Sequence, residues 1–347
     1  MKIVHLVYSF NIGGLECMLV DIVNNQIIHD EINIIVINKS FNISLLQQID
    51  KRVKIHYINR PESSKNPYYI ISLNILLIRL KSHILHCHNH SIISLLLPTL
   101  KNRATLTVHG MKRPIKHLSK YKIIFSISES VKKDILERAN ITTVVVYNGV
   151  PLSSIKTKCN YSINSIFNII CIGRLECQIK GQHIAIIALN ILKNKGIKNI
   201  QIDFIGSGNS EHYLKNLTKK YELSDQIRFL GLKNREYIYS HLKDYDLLIQ
   251  PSLHEGFGLT VVEAMAAKIP VLVSNIEGPM EIIRDGQFGL FFKSECSNDL
   301  AIKILSNINN YAENNQMQKI ELAFNHVRKN FDISRTANLY IDYYKLI

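Results

Sequence analysis

The chain has 347 residues, 46% hydrophobic and 20% charged, with 42 Lys and Arg against 28 Asp and Glu for a net charge of +14. This length suits two domains and the composition excludes a disordered chain. The charge calls for an anionic partner, but no zinc-finger spacing or RNP-like aromatic string is present, so nucleic acid is the weaker reading. The six cysteines, Cys17, Cys87, Cys159, Cys171, Cys177 and Cys296, form no Cys-x-x-Cys pair, the pattern of reduced thiols rather than of a disulfide framework or zinc site. No secretory signal is recognisable, and a cytoplasmic protein is expected.

In chain order, residues 2–8 read as a first parallel strand, followed by Asn11-Ile12-Gly13-Gly14-Leu15-Glu16 and a helix from about Cys17 to His29. Strand, Gly-Gly, helix is the plan of a phosphate-holding turn and equally of a plain tight turn. Further strands are expected at Ile32–Asn38 and Val53–Ile58. The apolar stretch Ile70–Leu80 is too short to span a bilayer and reads as a buried helix. His86, His88 and His90 alternate on one predicted strand, where side chains two apart stand roughly 7 Å from each other. That is awkward for one tetrahedral ion, so a strand end lining a cleft is favoured over a metal site.

Thr105–Val108 is another strand, ending in His109-Gly110, where a histidine at a carboxyl end meets either substrate or solvent. Between Lys112 and Lys133 seven cations face a single Glu129, either a solvated face or a docking surface for anionic lipid. Asn148-Gly149-Val150-Pro151 marks a turn and linker. The second half opens with the strand Phe167–Ile172 and then Gly173-Arg174-Leu175, with Lys180-Gly181 a few residues on. Arg174 can grip phosphate oxygens in a fork while Lys180 serves as a point charge.

The most informative stretch follows the buried-strand pattern 246–250. It runs Pro251-Ser252-Leu253-His254-Glu255-Gly256-Phe257-Gly258-Leu259-Thr260-Val261-Val262-Glu263-Ala264-Met265-Ala266-Ala267. Gly256 and Gly258 allow a tight loop and close approach of a ligand. A helix beginning at Leu259 aims its first N–H groups into that loop, a mouth suited to phosphate. Glu255 precedes the helix and Glu263 lies about one turn inside it, so both carboxylates can face one site.

Ser-x-x-Glu-Gly-Phe-Gly-Leu-x-x-x-Glu-Ala-Met-Ala resembles the signature of the family 4 (group 1) retaining glycosyltransferases. The resemblance is dense over 167–290 and thin before 110. It implies an α/β chain of GT-B architecture, two Rossmann-like domains facing across a cleft, with a C-terminal helix crossing back to the first. On that plan residues 1–151, completed by 331–347, form the acceptor-side domain, and 152–330 bind the nucleotide sugar.

The resemblance also assigns roles. Glu263 accepts the ribose hydroxyls, and Glu255 holds the transferred sugar and steadies its cationic character. The amides around Gly256, Phe257, Gly258, Leu259 and Thr260, with Arg174 and Lys180, hold the diphosphate, which the Gly13-Gly14 loop also reaches. His109 contacts the sugar near its reacting carbon. Two departures stand out: Lys268 replaces a glycine, and the gap before Lys180 is one residue longer than usual.

Asp244-Tyr245-Asp246 matches a manganese-binding Asp-x-Asp of another glycosyltransferase architecture. It leads into a buried strand without further ligands, so the reaction is expected to be metal-independent. The implied activity is retaining transfer of a hexosyl or N-acetylhexosaminyl group from a UDP- or GDP-linked donor to a glycan or lipid-linked acceptor in bacterial surface polysaccharide synthesis. No cofactor is expected beyond that co-substrate. The 112–133 cations fit a peripheral seat on the inner face of the plasma membrane. Competing readings are a nucleotide-sugar epimerase of the same architecture and a non-catalytic sugar-nucleotide binder.

Overall fold

The computed structural model describes residues 1–162 and 165–347. The chain divides into two compact units, Met1–Val150 with Phe331–Ile347, and Pro151–Asn330, so the division falls one residue before the expected one.

The first unit contains β1 (Lys2–Val7), α1 (Gly14–Gln26), β2 (Glu31–Asn38), α2 (Ile43–Leu46), β3 (Lys54–Arg60), α3 (Pro67–Leu80), β4 (Ile84–Cys87), α4 (Pro98–Lys101), β5 (Ala104–Val108), β6 (Ile123–Ser126), α5 (Glu129–Ala139) and β7 (Val144–Val145). Its strands order as β3-β2-β1-β4-β5-β6-β7, all pairs parallel. β1 and β4 are apolar almost throughout and buried, as a sheet covered on both faces requires.

The second unit contains β8 (Phe167–Ile172), α6 (Cys177–Lys180), α7 (Gln182–Asn194), β9 (Ile200–Ile205), α8 (Glu211–Lys220), β10 (Ile227–Gly231), α9 (Arg235–His241), β11 (Leu247–Gln250), α10 (Leu259–Ala266), β12 (Val271–Ser274), α11 (Glu277–Ile282), β13 (Leu290–Phe292), α12 (Ser297–Asn309) and α13 (Asn314–Asn330). The order β10-β9-β8-β11-β12-β13 is again wholly parallel. Each sheet therefore reverses direction beside its first strand. Ligands of such sheets bind at that reversal, outside the carboxyl ends of the strands.

The last helix, α14 (Ile333–Tyr344), belongs to the first unit. Val150 N–H donates to Phe331 O at 2.8 Å, and Ile333 N–H to Val150 O at 3.1 Å. A Cβ on Gly149 would stand 2.7 Å from Ile333 Cα, so glycine at this turn admits the returning chain. Tyr340 and Tyr344 are buried, with their rings edge-on to Phe125.

Two expectations are corrected. α3 is not a buried helix: only Leu73, Asn74 and Leu77 are covered, while Tyr68, Ile71, Ile75 and Ile78 are exposed. Its apolar residues run all round, so no stripe marks the inner face. That face is chosen by Asn74, which donates to Leu95 O and accepts from Leu97 N–H at 2.8 Å each. Nor do three histidines share a strand: β4 ends at Cys87, His86 and His88 are buried, and His90 lies in the turn beyond.

Candidate active site

In the second unit the reversal point lies between β8 and β11. The loop after β8 carries Arg174 and runs into α6, and the loop after β11 carries Glu255 to Gly258. Leu253 N–H and His254 N–H both donate to Ile179 O, at 2.8 and 3.2 Å, and bind the two loops together. Gly181, at φ +63°, is required at the crossing, because a Cβ there would lie 2.0 Å from Pro251 O. The longer gap before Lys180 is absorbed by the short helix α6.

Lys180 Nζ donates to Glu255 Oε2, and both groups are largely sheltered. Gln250, the last residue of β11, reaches the same oxygen at 3.4 Å and Thr260 Oγ1 at 3.3 Å. Its own Oε1 is buried without a partner. The strand-end rule alone would have nominated Gln250, which the motif reading missed.

Gly258 takes φ +110°, a conformation costly for any other residue, and caps α10. Val261 N–H turns back to Gly258 O at 2.9 Å. Among the described residues, no protein group accepts from the N–H of Gly258, Leu259 or Thr260. These amides are the orphan donors expected at a helix start. Phe257 is buried beneath the loop, and α11 packs close because a Cβ on Gly278 would lie 2.7 Å from Glu255 O.

Glu263 is held by different partners. It is 6% exposed, and Tyr239 OH donates to its Oε1 at 3.2 Å. Tyr239 OH in turn accepts from Arg235 at 2.6 Å. α9 thus supplies an Arg–Tyr–Glu chain that sequence spacing did not show. Arg174 stands exposed and pairs with Glu176 at 3.3 Å. Its backbone carbonyl accepts from Gln182 Nε2 at 2.8 Å.

The Asp-x-Asp residues part company. Asp244 pairs at the surface with Lys243. Asp246 is buried and takes Lys158 Nζ at 2.8 Å, Tyr311 OH at 3.0 Å and Asn168 N–H at 2.8 Å. Among the described residues, no group of three or more His, Cys, Asp or Glu is arranged to hold a metal ion.

The remaining nominees lie in the first unit. Gly13 caps α1 and Gly14 opens it. A Cβ on Gly13 would lie 2.6 Å from Glu16 Oε2, so this carboxylate folds over the turn. Burial raises the Glu16 pKa, against the pull of its own backbone N–H. His109 follows β5 and shares a hydrogen bond with His88, Nδ1 of His88 to Nε2 of His109 at 3.1 Å. Burial, helped by the Arg113 cation, lowers the His109 pKa to about 3, so the ring is neutral. Of the seven cations between 112 and 133, Lys132 pairs with Glu129 and Lys133 with Glu137. Lys112, Arg113, Lys116, Lys120 and Lys122 remain exposed.

Residues 165–321 match the family described as glycosyl transferases group 1. The chain is 32% identical over 229 residues to the uncharacterized glycosyltransferase MJ1178 of Methanocaldococcus jannaschii, 61% of each protein. It is 30% identical over 159 residues to the amylovoran biosynthesis glycosyltransferase AmsK of Erwinia amylovora, 44% of this chain and 38% of that one. It thus spans less than two thirds of the length of either relative. The crystal structure of Anabaena Alr3699/HepE in complex with UDP and glucose superposes over 100% of both chains, with a TM-score of 0.82 at 18% identity. The second unit is therefore a domain of the glycosyl transferases group 1 family, within a chain of GT-B fold.

Proposed function

We propose that this chain is a retaining glycosyltransferase. It moves a hexosyl or N-acetylhexosaminyl group from a UDP- or GDP-linked donor to a glycan or lipid-linked acceptor of a bacterial surface polysaccharide. The observation that carries this reading is the Lys180–Glu255 pair set beside the unclaimed amides of Gly258, Leu259 and Thr260. A cation and convergent N–H donors suit a diphosphate. A carboxylate and the orphan acceptor Gln250 Oε1 suit sugar hydroxyls. The UDP and glucose held by the Anabaena protein agree in kind, and the amylovoran relative agrees with a polysaccharide product.

Chemically, the bond between the anomeric carbon and the phosphate oxygen breaks, and its electron pair goes to the diphosphate. Lys180, Arg174 and the α10 amides take up that charge, work that needs no metal. Such prearranged donors are worth several kcal/mol in the transition state. The acceptor hydroxyl bonds to the anomeric carbon on the face the phosphate leaves, and its proton passes to the departing phosphate oxygen. Glu255 is freed from Lys180 as the phosphate claims that cation, and steadies the positive sugar. Glu263 accepts ribose hydroxyls while Tyr239 keeps it oriented.

Incubation with a set of UDP- and GDP-sugars, read by thermal shift and by mass spectrometry of products, tests the reading. Glu255→Gln is expected to lower kcat roughly a hundredfold with little change in donor KM. Glu263→Gln is expected to raise donor KM about tenfold instead. If no nucleotide sugar raises the melting temperature or is consumed, the proposal fails. An isomerised donor in the absence of acceptor would replace it with epimerisation.

A further inference from the structure

Four histidines in the first unit are hydrogen-bonded in ways the transfer chemistry does not account for. Parallel register sets His5 of β1 opposite His86 of β4, and His86 opposite Thr105 of β5. From this arrangement runs a line of side chains: Gln26 Oε1 to His5 Nε2 at 2.9 Å, His5 Nδ1 to His88 Nε2 at 3.1 Å, and His88 Nδ1 to His109 Nε2 at 3.1 Å. A neutral imidazole has one N–H and one lone pair. Fixing the proton at either end of the line therefore fixes every ring in it.

α14 fixes the tautomer of His86, whose ring lies beside those of His5 and His88. Thr107 Oγ1 donates to Tyr340 OH at 3.1 Å, and so can only accept from His86 Nε2, at 2.8 Å. His86 Nδ1 then carries the lone pair, and Tyr344 OH donates to it. At the other end, Gln26 Oε1 is an amide oxygen and can only accept from His5 Nε2. Gln26 Nε2 has no hydrogen-bond partner among the described residues. The direction of the line is therefore set by the Gln26 oxygen. His5 donates through Nε2, His88 through Nε2, and His109 through Nε2. Among the described residues, His109 Nδ1 has no protein partner.

We propose that Gln26, His5 and His88 are positioning residues that lock His109 as the neutral Nε2–H tautomer and present its Nδ1 lone pair to a donor hydroxyl of the ligand. Taken with the transferase reading, on which this last clause rests, that hydroxyl belongs to the transferred sugar. His109 then acts as a hydrogen-bond acceptor, not as a donor or a cation. Burial supports the neutral line: it lowers the pKa of His5 to about 4 and holds those of His86 and His88 well below the usual imidazole value.

The test is 15N NMR of the histidine-labelled protein, in which protonated and bare ring nitrogens resonate far apart, with His109 assigned by comparison with His109→Gln. The wild type should show His109 Nε2 protonated and Nδ1 bare at pH 7. Gln26→Met removes the anchor. It is expected to give mixed tautomers at His109 and to lower kcat about tenfold with donor KM little changed. Should this variant fail to fold, the wild-type spectrum still decides. A protonated Nδ1 or an imidazolium at His109 overturns the lock, as does a pure Nε2–H tautomer in folded Gln26→Met. If the spectrum is as expected but no nucleotide sugar is turned over, the lock stands and the transferase reading falls.

Discussion

Lys268 takes φ +58° at the C-terminal end of α10, a left-handed conformation that costs a residue with a Cβ about 1 kcal/mol or more. Its side chain offsets part of that cost, with Nζ at 2.7 Å from Glu321 and 4.6 Å from the centre of the Phe324 ring. Lysine is tolerated here because α13 supplies both a carboxylate and an aromatic face. Removing the side chain while keeping the Cβ loses this compensation and keeps the strain. Lys268→Ala is therefore expected to be less stable than Lys268→Gly by about 1 kcal/mol in urea unfolding, although alanine is ordinarily the better residue near a helix. Equal stability, or the reverse order, would show that the left-handed conformation carries no strain. Transfer activity should not distinguish the two variants, since neither side chain reaches the Lys180–Glu255 pair.

At the level of elements, β1, β4 and β5 bring the histidines together and make the first sheet sensitive to acid. His5 titrates at about 4 and His109 at about 3 when folded, against 6.5 for an open imidazole. The unfolded chain therefore binds more protons than the folded one at any pH between these values. Stability is full above about pH 6.5 and falls as pH drops toward 4, by about 2 kcal/mol for each such imidazole at pH 5. The Arg113 cation beside His109 acts in the same sense, while half-buried carboxylates such as Asp50, held at about 2 by Arg52, lose their contribution only at lower pH. Melting temperature should fall steeply between pH 7 and 5, and less steeply in His5→Gln. A flat profile would mean that the rings are charged or open to water.

The same elements show what could be read without coordinates. The strand–loop–helix around Glu255 is local, with its apolar run, its glycines and its helix start contiguous, so the sequence alone defined it. The line Gln26–His5–His88–His109 is assembled by parallel register from a helix, the body of β1 and the residues that follow β4 and β5, and no local pattern announces it. Tyr239 and Arg235 escaped notice for the same reason, since α9 meets Glu263 only in the folded unit. The α3 reading failed because a helix apolar on all sides has no periodicity from which to infer its inner face.

For the whole molecule, the net charge of +14 is the property that transfer chemistry does not need. Among the described residues, no helix is long and apolar enough to cross a membrane. We propose that the exposed Lys112, Arg113, Lys116, Lys120 and Lys122 seat the protein peripherally on the anionic inner face of the plasma membrane, where a lipid-linked acceptor would lie. Each cation near such a surface contributes about 1 kcal/mol, so a few suffice for reversible binding. Charge attraction of this kind is screened within about 10 Å at 0.1 M salt and is nearly abolished at 1 M. The protein is expected to sediment with vesicles containing phosphatidylglycerol at low salt, to stay in solution with phosphatidylcholine alone, and to be released as salt rises. Combining Lys116→Glu, Lys120→Glu and Lys122→Glu should abolish sedimentation while leaving turnover of a soluble acceptor analogue unchanged. Binding that resists salt, survives those three changes and disappears instead with Ile71→Ser and Ile75→Ser would place the seat on the exposed side of α3. That result would replace an electrostatic attachment with an apolar one and overturn the role given to the basic loop.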